Sequence, residues 1–552
     1  MEEKQFIHDI VAEKADIIAG INRAVWDYAE FGYQEDQSAE KIKAVLRQEG
    51  FEVEEGVAKI PTAFVGRYGS GKPVIGILAE YDALPDLSQK AGCAKPCPIE
   101  GKKYGHGCGH SALGAGAVGA AIAVKEYLQR TGVTGTVELY GCPAEETGFG
   151  KAFMVKEHCF DGIDAAFSWH PMDGNMSMSV RTVAYYKVRF DFKGTTSHAG
   201  AAPELGRSAL DACELMNVGV NYLREHIISD ARVHYAYLDC GGEAPNIVPD
   251  HASLLYFIRA PKLVQSGEIL ERMRKIAEGA ALMTETKVSI KVLGGLSDTI
   301  PNPTLSRLLS DAYLETGAPD FGEEEFAIAR DFLAAMPQEQ RERVVKNGAK
   351  QNGISEEEFA RRPLNTFIMP YTPAMRDKVM TGSSDVGDVS YQVPTAQITA
   401  ATGIPETGAH TWQMTAQVGT SIGDKASQAV ARAIALACAK IYGNPEILDT
   451  AKKELEEETG FRVESPDSLE YLMSLTTTVA FCDEAIDIFV AHNLIPSHQN
   501  LDEDEVINVE PCELADLEEM VYTGKITDGK TIAAIMAYAR KYRSVDKKDD
   551  LA

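Results

Sequence analysis

Positive charge is scarce in this chain of 552 residues: 54 Lys and Arg stand against 82 Asp and Glu, a formal net charge of −28. Binding a phosphate backbone needs a clustered basic face, so the balance excludes a nucleic-acid partner. An anionic membrane surface would repel the chain for the same reason. Long apolar runs are also missing. The longest, Ala112–Val124, is thirteen residues and glycine-rich, short of the ~20 that cross a bilayer and suited to a buried helix. The N-terminal stretch MEEKQFIHDIVAEKAD is charged and amphipathic, without the apolar centre of a secretory leader. Ten cysteines are scattered without framework spacing, which fits reduced thiols and a cytoplasmic protein. Low-complexity tracts and fixed-period repeats are absent, so the length implies two or three globular domains.

What is present is an α/β pattern. Helical periodicity fills Ile7–Gly50, with a second helix expected near Ser38–Arg47. VIGILAEYDALP, TVELYGCPAEE and DAAFSWHP are nearly continuous apolar runs that stop at polar residues, as strands buried on both faces do. Helical segments separate them, so a mainly parallel central sheet is expected, with ligands gathered beyond the strands' carboxyl ends. From Val183 the pattern changes. In YYKVRFDFKG, apolar Tyr186, Val188, Phe190 and Phe192 alternate with Lys187, Arg189 and Asp191, a strand with one wet face. The order strand–helix–strand–strand–helix–strand up to about 300 describes a ferredoxin-like insertion. The chain then returns near Pro301 and ends this domain in a helix at Ser427–Tyr442. A charged helical excursion, Glu323–Arg362, reads as a solvated insertion. The expected division is 1–182 with 301–445 as one domain, 183–300 as the inserted one, and 446–552 as an acidic appendage.

The chemistry-bearing residues fall at element ends. Cys108 and His110, in GHGCGHS, sit two apart on a glycine-lined turn where both side chains can converge. Thiolate and imidazole suit zinc and neighbouring divalent metals. Glu145 and Glu146 follow a strand directly, where two like charges are costly unless a cation offsets them. One carboxylate can then coordinate while the other moves a proton. His170 in SWHP and His410 in TGAHTWQ complete five candidate ligands, enough for two ions sharing a bridging group.

GHGCGHS, CPAEETGFGK, FSWHP, TSHAGAAPELGRSALDA, APNIVPDHA, TGSSDVGDVSYQVPTAQ and GAHTWQ, in this order, resemble the aminoacylase/carboxypeptidase family of dinuclear metallo-amidohydrolases. Within it they look like the aminobenzoyl-glutamate utilisation B branch, over about Ile7–Tyr442. The resemblance implies a metallopeptidase-like catalytic domain, and a lid and dimerisation domain in 183–300. It implies two divalent ions per subunit, manganese or zinc with cobalt or nickel as alternatives, on Cys108 (bridging), His110, Glu146, His170 and His410. Glu145 becomes the general base and acid, and His198 reaches a neighbouring subunit's site to stabilise the oxyanion. Asn246, Arg259 and Ser384 of the Gly382–Asp385 loop would hold the substrate. Asp82 and Ser111 would steady the ligands from behind, Ser111 more weakly than the Asp or Asn usual in the family. The implied activity is cleavage of an N-acyl or N-aroyl amino acid, or a small dipeptide, by a homodimer or by a heterodimer with a homologous subunit.

Two other readings stand beside it. One is a non-catalytic or regulatory subunit of the same fold. The other rests on KELEEETGF, Lys453–Phe461, which resembles the second half of a Nudix box. FCDEAIDIFVAHNLIPSHQN and GKITDGKTIAAIMAYARKY downstream resemble the carboxyl half of ADP-ribose pyrophosphatases, giving a nucleotide pyrophosphatase as the alternative. The first half of that box has no counterpart here, and Lys453 replaces its arginine.

Overall fold

Four apolar stretches become neighbouring parallel strands: Gly135–Cys142, Val74–Glu80, Ala165–Met172 and Thr395–Ala401, in that order across the sheet. Every residue of Gly135–Cys142 and of Thr395–Ala401 is buried, which is why these runs carry no alternation. On one side Phe64–Ser70 and Glu52–Glu55 extend the sheet antiparallel. On the other, Asn175–Ser177 runs antiparallel to Thr395–Ala401, with Ile368–Met369 parallel beyond it. The eight-stranded sheet is therefore mixed, parallel at its centre and reversed at its flanks. This computed structural model describes residues 3–376, 378–380, 382–459, 469–478, 482–491, 514–523, 525–526 and 529–542.

The glycine-rich run forms the helix His110–Thr131, which packs on the central strands and against the helices Ala15–Tyr28 and Ser421–Gly443. It is buried on all sides for most of its length, and each buried Val, Leu or Ile there contributes about 1.5–3 kcal/mol. Small residues make the fit possible. A Cβ on Gly116 would stand 2.7 Å from Val430 and 2.8 Å from the Trp169 indole nitrogen.

A second, four-stranded antiparallel sheet runs in the order Arg232–Asp239, His251–Ala260, Ala184–Lys193 and Lys287–Leu296. The helices Ala209–Leu223 and Leu263–Thr284 cover one face, closing a core around Val188, Phe190, Phe192, Met216, Leu254 and Met273. The element order matches the alternation seen in sequence, and Ser208 caps the first helix by accepting from Asp211 N. The excursion departs from expectation. Its helices Glu323–Ala335, Gln338–Asn352 and Glu356–Arg361 bury Phe332, Val344 and Phe359 in a cluster with Ala416 and Ile422. It is thus packed on one face, with most of its charges on the other; the buried Glu325 accepts from Gly322 N at the start of the first helix.

All this lies in one unit, Met1–Leu455, and a second spans Glu456–Ala552. The first unit takes in the start of the helix Glu446–Thr459, where Ala451 O accepts from Asn302 and Lys452 pairs with Asp164. In the second unit, Leu469–Thr478 pairs antiparallel with Cys482–Ala491, and the helix Gly529–Tyr542 packs on the first of these and on Leu514–Tyr522. Of the Nudix-like stretches, Gly460, Phe461, Phe481, residues 492–513, Gly524, Thr527 and Asp528 lie outside the described residues. Among the described residues no helix is long and apolar enough to cross a membrane.

Candidate metal centre

The donors converge at the carboxyl ends of the four central strands. Val74–Glu80 runs into Tyr81 and Asp82, and Gly135–Cys142 delivers Glu145 and Glu146 through Pro143 and a left-handed Ala144 (φ 56°). His170 lies within Ala165–Met172, and the loop after Thr395–Ala401 carries His410, itself left-handed (φ 60°). The His410 N–H donates to Gly107 O at 2.7 Å, which pins this distant loop to the Gly105–Gly109 turn. Non-glycine residues at positive φ cost of order 1–3 kcal/mol each and collect at functional sites.

Three donor groups form there, each with one ligand atom per residue within 4.8 Å of the others: Cys108, His110 and His170; Cys108, Glu146 and His410; and Glu80, His110 and Glu145. The first two share the Cys108 thiol, as a bridging ligand between two ions would be shared. Cys108 Sγ lies 3.4 Å from His170 Nε2, His410 Nε2 3.3 Å from Glu146 Oε1, and His110 Nε2 3.3 Å from Glu80 Oε2. Two ligand atoms about 2.0–2.3 Å from one tetrahedral cation sit about 3.3–3.8 Å apart. His110 Nε2 and Glu146 Oε1 are buried without a hydrogen-bond partner, a cost that a cation removes. The residues therefore fit divalent ions, by spacing and by donor type.

The surroundings orient these donors. Asp82 Oδ1 is 2.8 Å from His110 Nδ1, and its other oxygen accepts from Glu146 N at 3.0 Å, so one carboxylate fixes two ligands. His170 Nδ1 lies 2.9 Å from Pro171 O, which turns Nε2 toward Cys108. Ser111 does not join in: its hydroxyl is buried without a hydrogen-bond partner. The other histidine of the motif, His106, bonds Val25 O through Nε2 at 2.9 Å and stays out of all three groups. Burial pushes the Cys108 thiol up and the Glu146 carboxylate adds to it, so a thiolate here depends on a nearby cation. Glu145 is raised well above the carboxylate range by burial first, then by Glu80 and Asp385. Burial alone would also raise Glu146, but the His410 and His110 rings bring it below the usual range.

The remaining predicted residues lie elsewhere. His198 sits on an exposed loop bridged to Ile247, where its Nδ1 accepts from Gly200 N and Ala201 N at 3.1 Å. That leaves Nε2 to carry the proton of a neutral ring. Asn246, on the facing loop, accepts from Ala199 N through its carbonyl. Arg259 donates to Ser383 Oγ at 2.9 Å, whereas Ser384 accepts locally from Val386 N. An open cleft of about 420 Å³ lies beside Thr147–Phe149, lined also by Tyr33, Phe153, Lys187 and Leu293.

Three site residues escaped the sequence reading. Lys151 is fully buried, with Nζ 2.6 Å from Glu80 and 2.5 Å from Asp385. A lysine just inside a short helix ordinarily reads as solvated, and Glu80 and Asp385 looked like a strand end and a loop. The available signal was spacing: Glu80 stands two residues before Asp82, and Lys151 five after Glu146. Glu35 supports the turn from further back, accepting from Ala144 N at 2.8 Å.

The sequence profile of peptidase family M20/M25/M40 matches residues 76–542. The chain belongs to this family. Membership, with its hydrolase relatives, makes it a metal-dependent amide hydrolase. It is 42% identical over 459 residues to the B-type subunit of p-aminobenzoyl-glutamate hydrolase from Escherichia coli, covering 82% of this chain and 95% of that protein. It is 26% identical to the mouse (Mus musculus) Xaa-Arg dipeptidase, covering 81% and 90%. A dinuclear metal-binding M20 peptidase from Bacillus subtilis shares the fold at a TM-score of 0.51 and 18% identity, over 78% of this chain and 99% of that one.

Proposed function

We propose that this chain hydrolyses the amide bond of an N-acyl or N-aroyl amino acid of the aminobenzoyl-glutamate kind, with two divalent ions held at the shared Cys108. The observation that carries the reading is the pair of donor groups, one completed by His110 and His170 and the other by Glu146 and His410, meeting at one thiol. Manganese or zinc suits this donor set, with cobalt or nickel as alternatives. When bound, such ions supply Lewis-acid polarisation of the carbonyl and an acidified water. Glu145 takes the proton of the attacking water and returns it to the leaving amine, a role its raised proton affinity serves. Asp82 holds the His110 ring and the Glu146 backbone in place meanwhile.

Residues 183–300 serve in this reading as a ferredoxin-like lid and dimerisation domain on the 1–182 and 301–445 body. His198 would present Nε2–H to the oxyanion in a neighbouring subunit. Asn246 and Arg259 would receive the substrate's carboxylate, which Arg recognises best in bidentate fashion, and Ser384 would belong to the loop that cradles the substrate. Exposed Leu215, Val218 and Tyr222 on the helix Ala209–Leu223, together with the free edge strand Arg232–Asp239, support an assembly through this domain. The E. coli relative is named as one subunit of its enzyme, which supports a heterodimer with a homologous chain beside the homodimer. Scattered cysteines support a cytoplasmic setting.

For the tail from 446 onward we propose a partial, inactive Nudix-like appendage. Glu454, one of the box carboxylates, already accepts from Thr304 N and Oγ1 at 3.0 and 2.9 Å, which speaks against nucleotide pyrophosphatase activity. The test is release of glutamate from p-aminobenzoyl-glutamate by the manganese- or zinc-loaded chain. Glu145→Gln is expected to lower kcat by about 10²–10⁴-fold while the metal content is kept. A chain that retains both ions yet turns over only beside a homologous subunit would favour the regulatory-subunit reading.

A further inference from the structure

The five donors implied by the family leave one buried carboxylate at the centre without a role. Glu80 ends the second of the central strands, its side chain 3% exposed, with Oε1 2.6 Å from Lys151 Nζ and Oε2 3.3 Å from His110 Nε2. The His110 side chain is wholly buried, and its other nitrogen, Nδ1, faces Asp82 Oδ1 at 2.8 Å. A carboxylate accepts, so Nδ1 carries an N–H toward Asp82 and Nε2 is left to face Glu80. Nε2 has no hydrogen-bond partner, and Glu80, His110 and Glu145 each place one donor atom within 4.8 Å of the others. A cation between Nε2 and Oε2, 3.3 Å apart, would satisfy both. That separation equals the edge between two ligands about 2.0–2.1 Å from one ion.

We propose that Glu80 is a further metal ligand, binding the ion that His110 holds, and that Lys151 is the positioning residue that fixes it. Lys151 occupies the oxygen that faces away from His110, so Glu80 ligates through one oxygen while the other is held by a charge-assisted hydrogen bond. Asp385 steadies Lys151 in turn, through Nζ at 2.5 Å and the backbone N–H at 2.9 Å. The second triad-forming carboxylate, Glu145, lies within 4.8 Å of both Glu80 and His110, which sets the proton carrier beside the same ion. Asp385 lies two residues after Ser383, the acceptor of Arg259, so one short loop carries both the support of this ligand and a contact to the smaller sheet.

The inference rests on the metal-dependent reading, and the experiment separates the two. Full-length wild type, Glu80→Gln and Glu80→Asp are equilibrated with zinc in a chelator buffer and with cobalt(II), and metal content and the visible cobalt spectrum are recorded. Gln keeps an acceptor for Lys151, and Asp keeps the charge but withdraws it by one methylene. The expected result is two ions in wild type, and in both variants one of the two weakened by about a hundredfold or more with altered cobalt bands. Wild type and folded variants that hold both ions within threefold of each other, with unchanged bands, would overturn the role of Glu80 and leave the family reading intact. A wild-type chain that binds no ion would overturn both.

Discussion

At the scale of single residues, the neighbours of His110 divide into one that positions it and one that does not. Asp82 touches the His110 ring and the Glu146 amide together, so Asp82→Asn is expected to lower metal affinity about 10–100-fold. Ser111, next to His110 in sequence, buries a hydroxyl with no partner. Ser111→Ala removes an unsatisfied polar group and adds helix propensity, so it is expected to leave metal affinity unchanged and to hold or raise stability by up to about 1 kcal/mol. Chelator titration and thermal melts on the two variants check both statements. The convergence of these donors was legible in the sequence because Cys108 and His110 share a glycine-lined turn that opens a small-residue helix, while Glu145, Glu146 and His170 come where apolar strands end. The Glu80–Lys151–Asp385 chain was not, because nothing local distinguishes a lysine that is buried between two distant carboxylates from one in water.

At the scale of elements, the strand Lys287–Leu296 leaves the smaller sheet and enters the main body at Ser297, which donates through Oγ to Asp388 at 2.8 Å. Burial pushes Asp388 up to about 7, against the pull of Ser297 and with a further push from Asp385. Its folded pKa thus lies above the ~3.9 of an unfolded aspartate. The stability it contributes is full below about pH 4 and is lost as pH rises through about 7, by at most about 4 kcal/mol. Asp388→Asn is expected to remove that slope, seen as a gap between the urea midpoints of variant and wild type that changes from pH 4 to pH 7. Strand and helix types were readable from period: the alternation in YYKVRFDFKG marks a half-buried strand, and the capped segment after Ser208 a helix. The antiparallel flanks of the large sheet were not, because strand direction depends on where a chain returns and leaves no period in the sequence. The excursion Glu323–Arg362 misled for a related reason, since its glutamates and arginines outnumber the few phenylalanines that anchor it.

At the scale of the whole molecule, the apolar face formed by Leu215, Val218 and Tyr222 predicts self- or hetero-association through the smaller sheet's domain. Val218→Asp with Tyr222→Asp is expected to convert a dimer to a monomer in light scattering, with the fold of each chain kept by circular dichroism. The order of the large sheet has its own consequence for synthesis. Thr395–Ala401 sits inside the sheet, between Ala165–Met172 and Asn175–Ser177. A ribosome adding about 5–20 residues per second needs roughly 10–50 s to travel from Met172 to Ala401. Throughout that interval the nascent chain carries a bare apolar strand edge with no neighbour to cover it. Chaperone occupancy should therefore peak on ribosomes paused between these two points, and nonsense fragments ending there should precipitate where the finished chain does not.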